Sequence, residues 1–129
     1  MTKAIVTTDG APAAIGPYAQ AVRVGNLIFT AGQGALDPVT GQVVPGGIKE
    51  QTERTIQNLK AILEAGGSSL GQVVKATVFM KDLGDFSAMN AVYASYFATD
   101  EDTLPARTTV EVSRLPRNLL VEIEVIAEV

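Results

Sequence analysis

The stretch from Leu119 to Val129 alternates without a break. Val121, Ile123, Val125, Ala127 and Val129 point one way, and Leu120, Glu122, Glu124, Ile126 and Glu128 point the other. A period of two puts a continuous apolar row on one side of a β-strand, and such a row has to be covered. So strongly apolar a face opposite the carboxylates suits a central strand better than an edge.

Ile48 to Ala65 supplies a cover. Ile48, Thr52, Thr55, Ile56, Leu59, Ile62 and Leu63 recur at spacings of three and four, while Lys49, Glu53, Arg54, Gln57, Lys60 and Glu64 mostly fall off that stripe. This is the period of a helix with one buried face. Gly66-Gly67 predicts a left-handed stop. A second helix is predicted from about Asp85 to Ala98, with Phe86, Met89, Tyr93, Tyr96 and Phe97 on its apolar face and Asp85 at its positive end. Strands are predicted at Ala4–Thr7, Ala19–Val24, Leu27–Ala31, Val73–Met80 and Ala106–Val112. Gly25-Asn26, both of which tolerate positive φ, joins the second and third in a hairpin. Asp9–Tyr18, Gly32–Gly47 and Ser113–Asn118 read as loops.

This order predicts an α+β fold, a single mixed β-sheet with two helices on one face, with residues 1–129 as one domain. The other face is expected to show Arg107, Thr109, Glu111, Glu122 and Glu124 among apolar groups. Hydrophobic residues make up 47% of the chain and charged ones 19%. A wet second face would then expose more apolar surface than monomers usually tolerate, so self-association through it is expected.

Cysteine and histidine are both absent. That excludes disulfides, Cys/His zinc sites and the Ser-His-Asp and Cys-His catalytic arrangements. Acid–base chemistry is left to Asp, Glu, Lys, Tyr, backbone groups or water. The formal net charge of −4 disfavours a phosphate backbone as partner. No apolar run reaches membrane-span length and the first residues hold no signal-peptide core, so a soluble cytoplasmic protein is expected.

Arg107 follows Pro105 and projects from a stiff strand. It has two readings: an ion pair with Glu111, Glu122 or Glu124, or a forked clamp for a substrate carboxylate. Glu122 is either one of several carboxylates on a wet face or a desolvated acid that holds and activates water. Tyr18, after Gly16-Pro17, caps the core or lines a site. Asn90 caps a backbone group or lines a pocket at the helix–sheet junction. Gly32 admits a ligand or a second backbone, or is plain turn chemistry. Gly32-Gln33-Gly34 is no nucleotide fingerprint. Arg114 and Arg117 read first as a solvated turn.

Ala13-Ala-Ile-Gly-Pro-Tyr-Ala-Gln20, Gly25-Asn-Leu-Ile-Phe-Thr-Ala-Gly-Gln33, Val78-Phe-Met-Lys-Asp-Leu83, Met89-Asn90, Pro105-Ala-Arg107, Arg114-Leu-Pro116 and Val121-Glu-Ile-Glu124 resemble, in order and over nearly the whole chain, the RidA (YjgF) family of reactive-intermediate deaminases. The resemblance implies a chorismate-mutase-like fold and a homotrimer whose sheets form a central barrel with active sites between subunits. It implies hydrolysis of enamines and imines of the 2-aminoacrylate and 2-aminocrotonate type to 2-oxo acids and ammonia, with no cofactor and no metal. An alternative is non-catalytic binding of small carboxylates in a regulatory role. By position, Arg107 would bind the substrate carboxylate and Glu122 would hold the water. Tyr18, Ala31, Gly32, Asn90 and Thr109 would line the cleft. Ala31 stands where many members have Ser, Thr109 where many have Cys, and Thr108 is bulkier than the usual Ser or Ala.

Overall fold

A computed structural model describes residues 2–129. Its strands are β1 (Ala4–Val6), β2 (Ala21–Val24), β3 (Leu27–Thr30), β4 (Val73–Met80), β5 (Ala106–Glu111) and β6 (Val121–Glu128), and its helices are α1 (Ile48–Ala65) and α2 (Phe86–Phe97). The strands form one six-stranded sheet in the order β1-β2-β3-β6-β4-β5. Only β4 and β5 run parallel; the other neighbours are antiparallel. The mixed sheet with two helices agrees with the predicted α+β class, and the alternating C-terminal strand is central.

The core lies between the helices and one sheet face. Val121, Ile123, Val125 and Ala127 of β6 and Ala76, Val78 and Met80 of β4 meet Ile56, Leu59, Ile62 and Leu63 of α1 and Met89, Val92, Tyr93 and Phe97 of α2. The helical stripe is thus where its period puts it. Gln51 and Asn58 are also buried on α1, although their polarity reads as surface. Each is spent on backbone: Asn58 Nδ2 donates to the carbonyls of Gly34 and Leu36 at 3.1 and 3.0 Å, and Gln51 Oε1 accepts from Leu120 N–H at 2.9 Å. These bonds hold the Gly32–Gly47 loop and the start of β6 against the helix.

Several local expectations need correction. In the hairpin only Gly25 has positive φ (60°), the pattern of a II′ rather than a I′ turn. At the end of α1, Gly66 is not left-handed (φ −88°); Gly67 is (φ 87°). Ser68 N–H reaches the Leu63 carbonyl at 2.8 Å and Gly67 N–H that of Glu64 at 3.1 Å, which is a Schellman stop. Strands predicted slightly longer keep ladder bonds past their ends, as in Val112 N–H to Met80 O at 2.9 Å.

The largest correction concerns faces. Directly paired residues share a side of the sheet. Arg107 pairs with Ala76, and Thr109 with Val78, both buried under the helices. Glu122 pairs with Phe79 and Glu124 with Thr77, on the uncovered side. Arg107, Thr109 and Glu111 therefore do not share a face with Glu122 and Glu124. Alternation tells which residues of one strand go together; the cross-strand register decides on which side, and one step reverses it.

The uncovered side is apolar in register. Ile5, Val22, Phe29 and Ile126 form one row across β1, β2, β3 and β6, with Ile5 69% and Phe29 38% exposed. Among the described residues no helix is long and apolar enough to cross a membrane, and no group of three or more His, Cys, Asp or Glu residues could hold a metal.

Gly67→Ala tests the Schellman stop. A Cβ there has room, so the cost is the left-handed backbone alone. Chemical denaturation should show a loss of about 1 kcal/mol.

Candidate functional site

Arg107 sits on β5, a sheet edge, with its side chain turned to the helix side and half-buried. Its Nη1 donates to Asn90 Oδ1 at 2.7 Å. Its Cζ lies 5.5 Å from the Phe86 ring centroid and 4.6 Å from that of Tyr93. Phe86, Asn90 and Tyr93 fall four and three residues apart and so share one stripe of α2. The aromatic faces attract the cation without neutralising it, and the amide orients it. Asn90, which interrupts an apolar stripe, thus acts as a neutral acceptor for the guanidinium.

The contacts of Arg107 are not those of the ion pair with Glu111, Glu122 or Glu124. The side chain in contact is a neutral amide, while Glu111 accepts from Leu83 N–H at 3.0 Å and the other two carboxylates lie across the sheet. Burial raises the Tyr93 pKa and Arg107 opposes that rise. The hydroxyls of Tyr93 and Thr109 are buried without a hydrogen-bond partner.

Glu122 lies on the uncovered face, in a cavity of about 510 Å³ lined among others by Tyr18, Ala31, Gly32, Arg117 and Leu119. It is half-buried, and burial first, then the neighbouring Glu124, raises its pKa above the usual 4.5. Gly32 lies against it: a Cβ at that position would stand 2.5 Å from Glu122 Oε2. The strip that carries Gly32 is pinned to β6, since Gln33 and Ile123 exchange both backbone hydrogen bonds at 2.9 and 3.0 Å. Glycine is needed here for close approach of backbone to the carboxylate. Tyr18 is 51% exposed, and its hydroxyl accepts from Ile15 N–H at 3.1 Å, so it braces its own loop rather than capping the core.

Of the seven residues singled out in the sequence, the fold therefore makes two groups. Arg107, Asn90 and Thr109 are on the helix side at the β5 edge; Glu122, Gly32, Ala31 and Tyr18 gather on the other side. β6 is two strands from β5, or about 10 Å at normal strand spacing. One small molecule cannot touch both groups of a single chain. A larger groove of about 880 Å³ adjoins the Glu122 cavity and shares Ala13, Tyr18 and Gln20 with it. It is lined largely by Ala, Pro and Val and offers only Lys3 and Asp9 as ionic groups, whereas the smaller cavity holds the half-buried Glu122 carboxylate.

Sequence reasoning passed over Gln20 and Asn118, and took Arg117 only as a solvated turn. Gln20 ties the N-terminal loop to β2 by accepting from Thr8 N–H at 2.8 Å and donating to Pro12 O at 2.8 Å. Arg117 and Asn118 both have left-handed backbone, φ 58° and 56°. Gln20 gave no signal; the Pro116-Arg117-Asn118 turn did, in its proline and asparagine.

The α+β sheet, with one helical cover and an apolar open face, thus carries a guanidinium whose side-chain hydrogen-bond partner is a neutral amide on one side and a desolvated carboxylate on the other. Residues 8–129 match the family described as Endoribonuclease L-PSP. The chain is 57% identical over 127 residues to a RutC family protein of Pyrococcus abyssi, covering 98% of each. It is 50% identical over 122 residues to the 2-iminobutanoate/2-iminopropanoate deaminase of Escherichia coli strain K12, covering 95% of this chain and 94% of that one. The crystal structure of E. coli TdcF with bound serine superposes with a TM-score of 0.92 at 43% identity, over 98% of both chains. The chain belongs to this family, the YjgF/RidA family of the sequence resemblance.

Glu122 has a consequence for stability. Its folded pKa is raised, so the unfolded state loses its proton first as pH rises, and stability falls through that window. Glu122→Gln should raise Tm at neutral pH, with the gain shrinking to nothing in acid below the ordinary carboxylate range. Thermal melts at several pH values check this. Gly32→Ala should push the carboxylate aside while leaving the melt of the β6 core nearly unchanged.

Proposed function

We propose that this protein hydrolyses 2-imino acids, and the enamines that tautomerise to them, to 2-oxo acids and ammonia, in the cytoplasm and without a cofactor. The observation that carries the proposal is Arg107: a guanidinium held between rings and a neutral amide, with its charge left free for an anion. Membership of the family, the deaminase named among its relatives and the serine bound by TdcF support a small α-carboxylate as that anion.

In this reading Arg107 grips the substrate carboxylate through a forked pair of hydrogen bonds. Asn90 and Thr109 flank it, and Tyr18, Ala31 and Gly32 wall the reacting carbon. Glu122 takes a proton from water as the water oxygen bonds to C2 and the C=N π pair moves to nitrogen. The carbinolamine so formed receives that proton on nitrogen. Glu122 then carries the hydroxyl proton to the same nitrogen as that oxygen closes the C=O bond and the C–N bond breaks, so that ammonia leaves and the 2-oxo acid remains with Glu122 ionised. An imine carbon is already electrophilic, so orientation and one proton carrier with a raised pKa suffice, which suits a chain lacking His and Cys. The family description also names an endoribonuclease. A net charge of −4 and the absence of histidine favour the imine over RNA.

We further place the working site between copies, Arg107 from one and Glu122 from its neighbour, in a trimer whose uncovered sheet faces close a central barrel. The opposite placement of the two groups and the exposed row Ile5, Val22, Phe29 and Ile126 support this. One domain, residues 1–129, then contributes to two sites.

Freshly generated 2-aminocrotonate should yield 2-oxobutyrate faster with the protein than in buffer; no acceleration would reject the activity. Arg107→Ala should lose about 2–5 kcal/mol of transition-state binding in kcat/KM, and Arg107→Lys should recover little of it. As Glu122 must be ionised to take a proton, kcat should fall in acid through a pKa displaced upward from the ordinary carboxylate range. Co-refolding Arg107→Ala with Glu122→Gln should restore up to about a quarter of the sites if each draws on two chains of a mixed ring. No restoration would contradict the shared site.

A further inference from the structure

We infer that Arg117 is a positioning residue for Glu122, strapping two loops so that the carboxylate stands against Gly32. The inference rests on the hydrolytic role proposed for Glu122.

Arg117 and Asn118 are consecutive non-glycine residues in left-handed backbone, the only two such residues described. Strain of this kind persists where the surroundings over-determine it, and it clusters at functional sites. Here the surroundings are explicit. Arg117 Nη1 donates to the Gly41 carbonyl at 2.7 Å, joining this turn to the Gly32–Gly47 loop across 76 residues of chain. Leu119 N–H closes the turn on Pro116 O at 3.2 Å. The Leu119 side chain is buried against Gly34, so closely that a Cβ on Gly34 would collide with its Cδ1. Leu120 N–H is then taken by Gln51 of α1. Two residues later the chain presents Glu122, whose carboxylate fills the space a Gly32 side chain would need.

The strained turn and the Gly32 strip are thus two sides of one cavity, and Arg117 lines it together with Glu122. Without the strap, the Gly32–Gly47 loop loses its tie to the turn that leads into β6. Arg117 is exposed, as the solvated-turn reading expects, and its guanidinium is at the same time tied to the Gly41 carbonyl.

Arg117→Ala removes the donor to Gly41; Arg117→Lys keeps a cationic donor. The kinetic expectation for Arg117→Ala is a fall in kcat of about tenfold or more with KM within about twofold, since a misplaced proton carrier slows chemistry more than binding. The Lys variant should regain most of the lost rate, and melting temperatures should stay close to the parent. Carboxyl-carbon NMR of Glu122 gives a readout independent of turnover. Within one chain the charged and titratable groups around it are Glu124 on its own strand and Tyr18 and Arg117 across the cavity, with the uncharged Phe79 beside it on β4; in the proposed trimer the Arg107 of a neighbouring copy joins them and is unchanged in these variants. Deleting a nearby positive charge alone would move the Glu122 midpoint up; loosening the loop and admitting water would move it down. A downward shift supports the strap. An upward or absent shift overturns it, as does a rise in KM at unchanged kcat or a loss of rate that merely follows loss of folded protein. Should the parent protein fail to turn over imines, the hydrolytic reading falls, and the NMR shift by itself still decides whether Arg117 sets the position of Glu122.

Discussion

The register of β4 between β5 and β6 is the constraint on which the rest depends. Ala76 pairs with Arg107 on one side and Val125 on the other, while Phe79 lies opposite Glu122. Those pairings bury Ala76, Val78 and Met80 beneath the helices, and they carry Arg107 to the helix side and Glu122 to the other. A slip of one residue would expose the core row and reverse both functional groups. Stability of the fold and placement of the candidate chemistry are consequences of a single alignment.

The surroundings of Arg107 and Glu122 contrast. Arg107 keeps its charge: the rings of Phe86 and Tyr93 attract it and Asn90 orients it, but the side chain it meets is neutral. Glu122 is held where charge is disfavoured, through burial and the nearness of Glu124. A cation short of an anion and a carboxylate short of solvent are both costly to an isolated fold. That cost is what one expects where the missing partner is a ligand or another copy of the chain.

Close backbone approach recurs around Glu122. Gly32 and Gly34 admit the side chains of Glu122 and Leu119, and Gln33 locks the strip between them to Ile123. From the other direction, Gln51 and Asn58 of α1 reach out of a buried helix face to hold the backbone of the same region. The cavity wall is loop in name only; its backbone groups are tied to β6, to α1 and, through Arg117, to the turn before β6. A carboxylate in such a wall keeps its orientation through backbone ties alone.

Much of this was legible in the residues. The period of two at Val121–Val129 and the three-four spacing at Ile48–Ala65 announce the central strand and its cover, because a buried face leaves its periodicity in the chain. The ordered motifs around Tyr18, Gly32, Asn90, Arg107 and Glu122 identify the family and its candidate groups. Composition removes His and Cys chemistry outright. Only the tertiary structure decided that Arg107 and Glu122 lie on opposite faces, that Asn90 is the arginine's partner, that Gln51 and Asn58 are buried, and that Arg117 bridges to Gly41. Each of these depends on how distant segments align, and local pattern carries no information about register between strands or about which backbone carbonyl a long side chain will find.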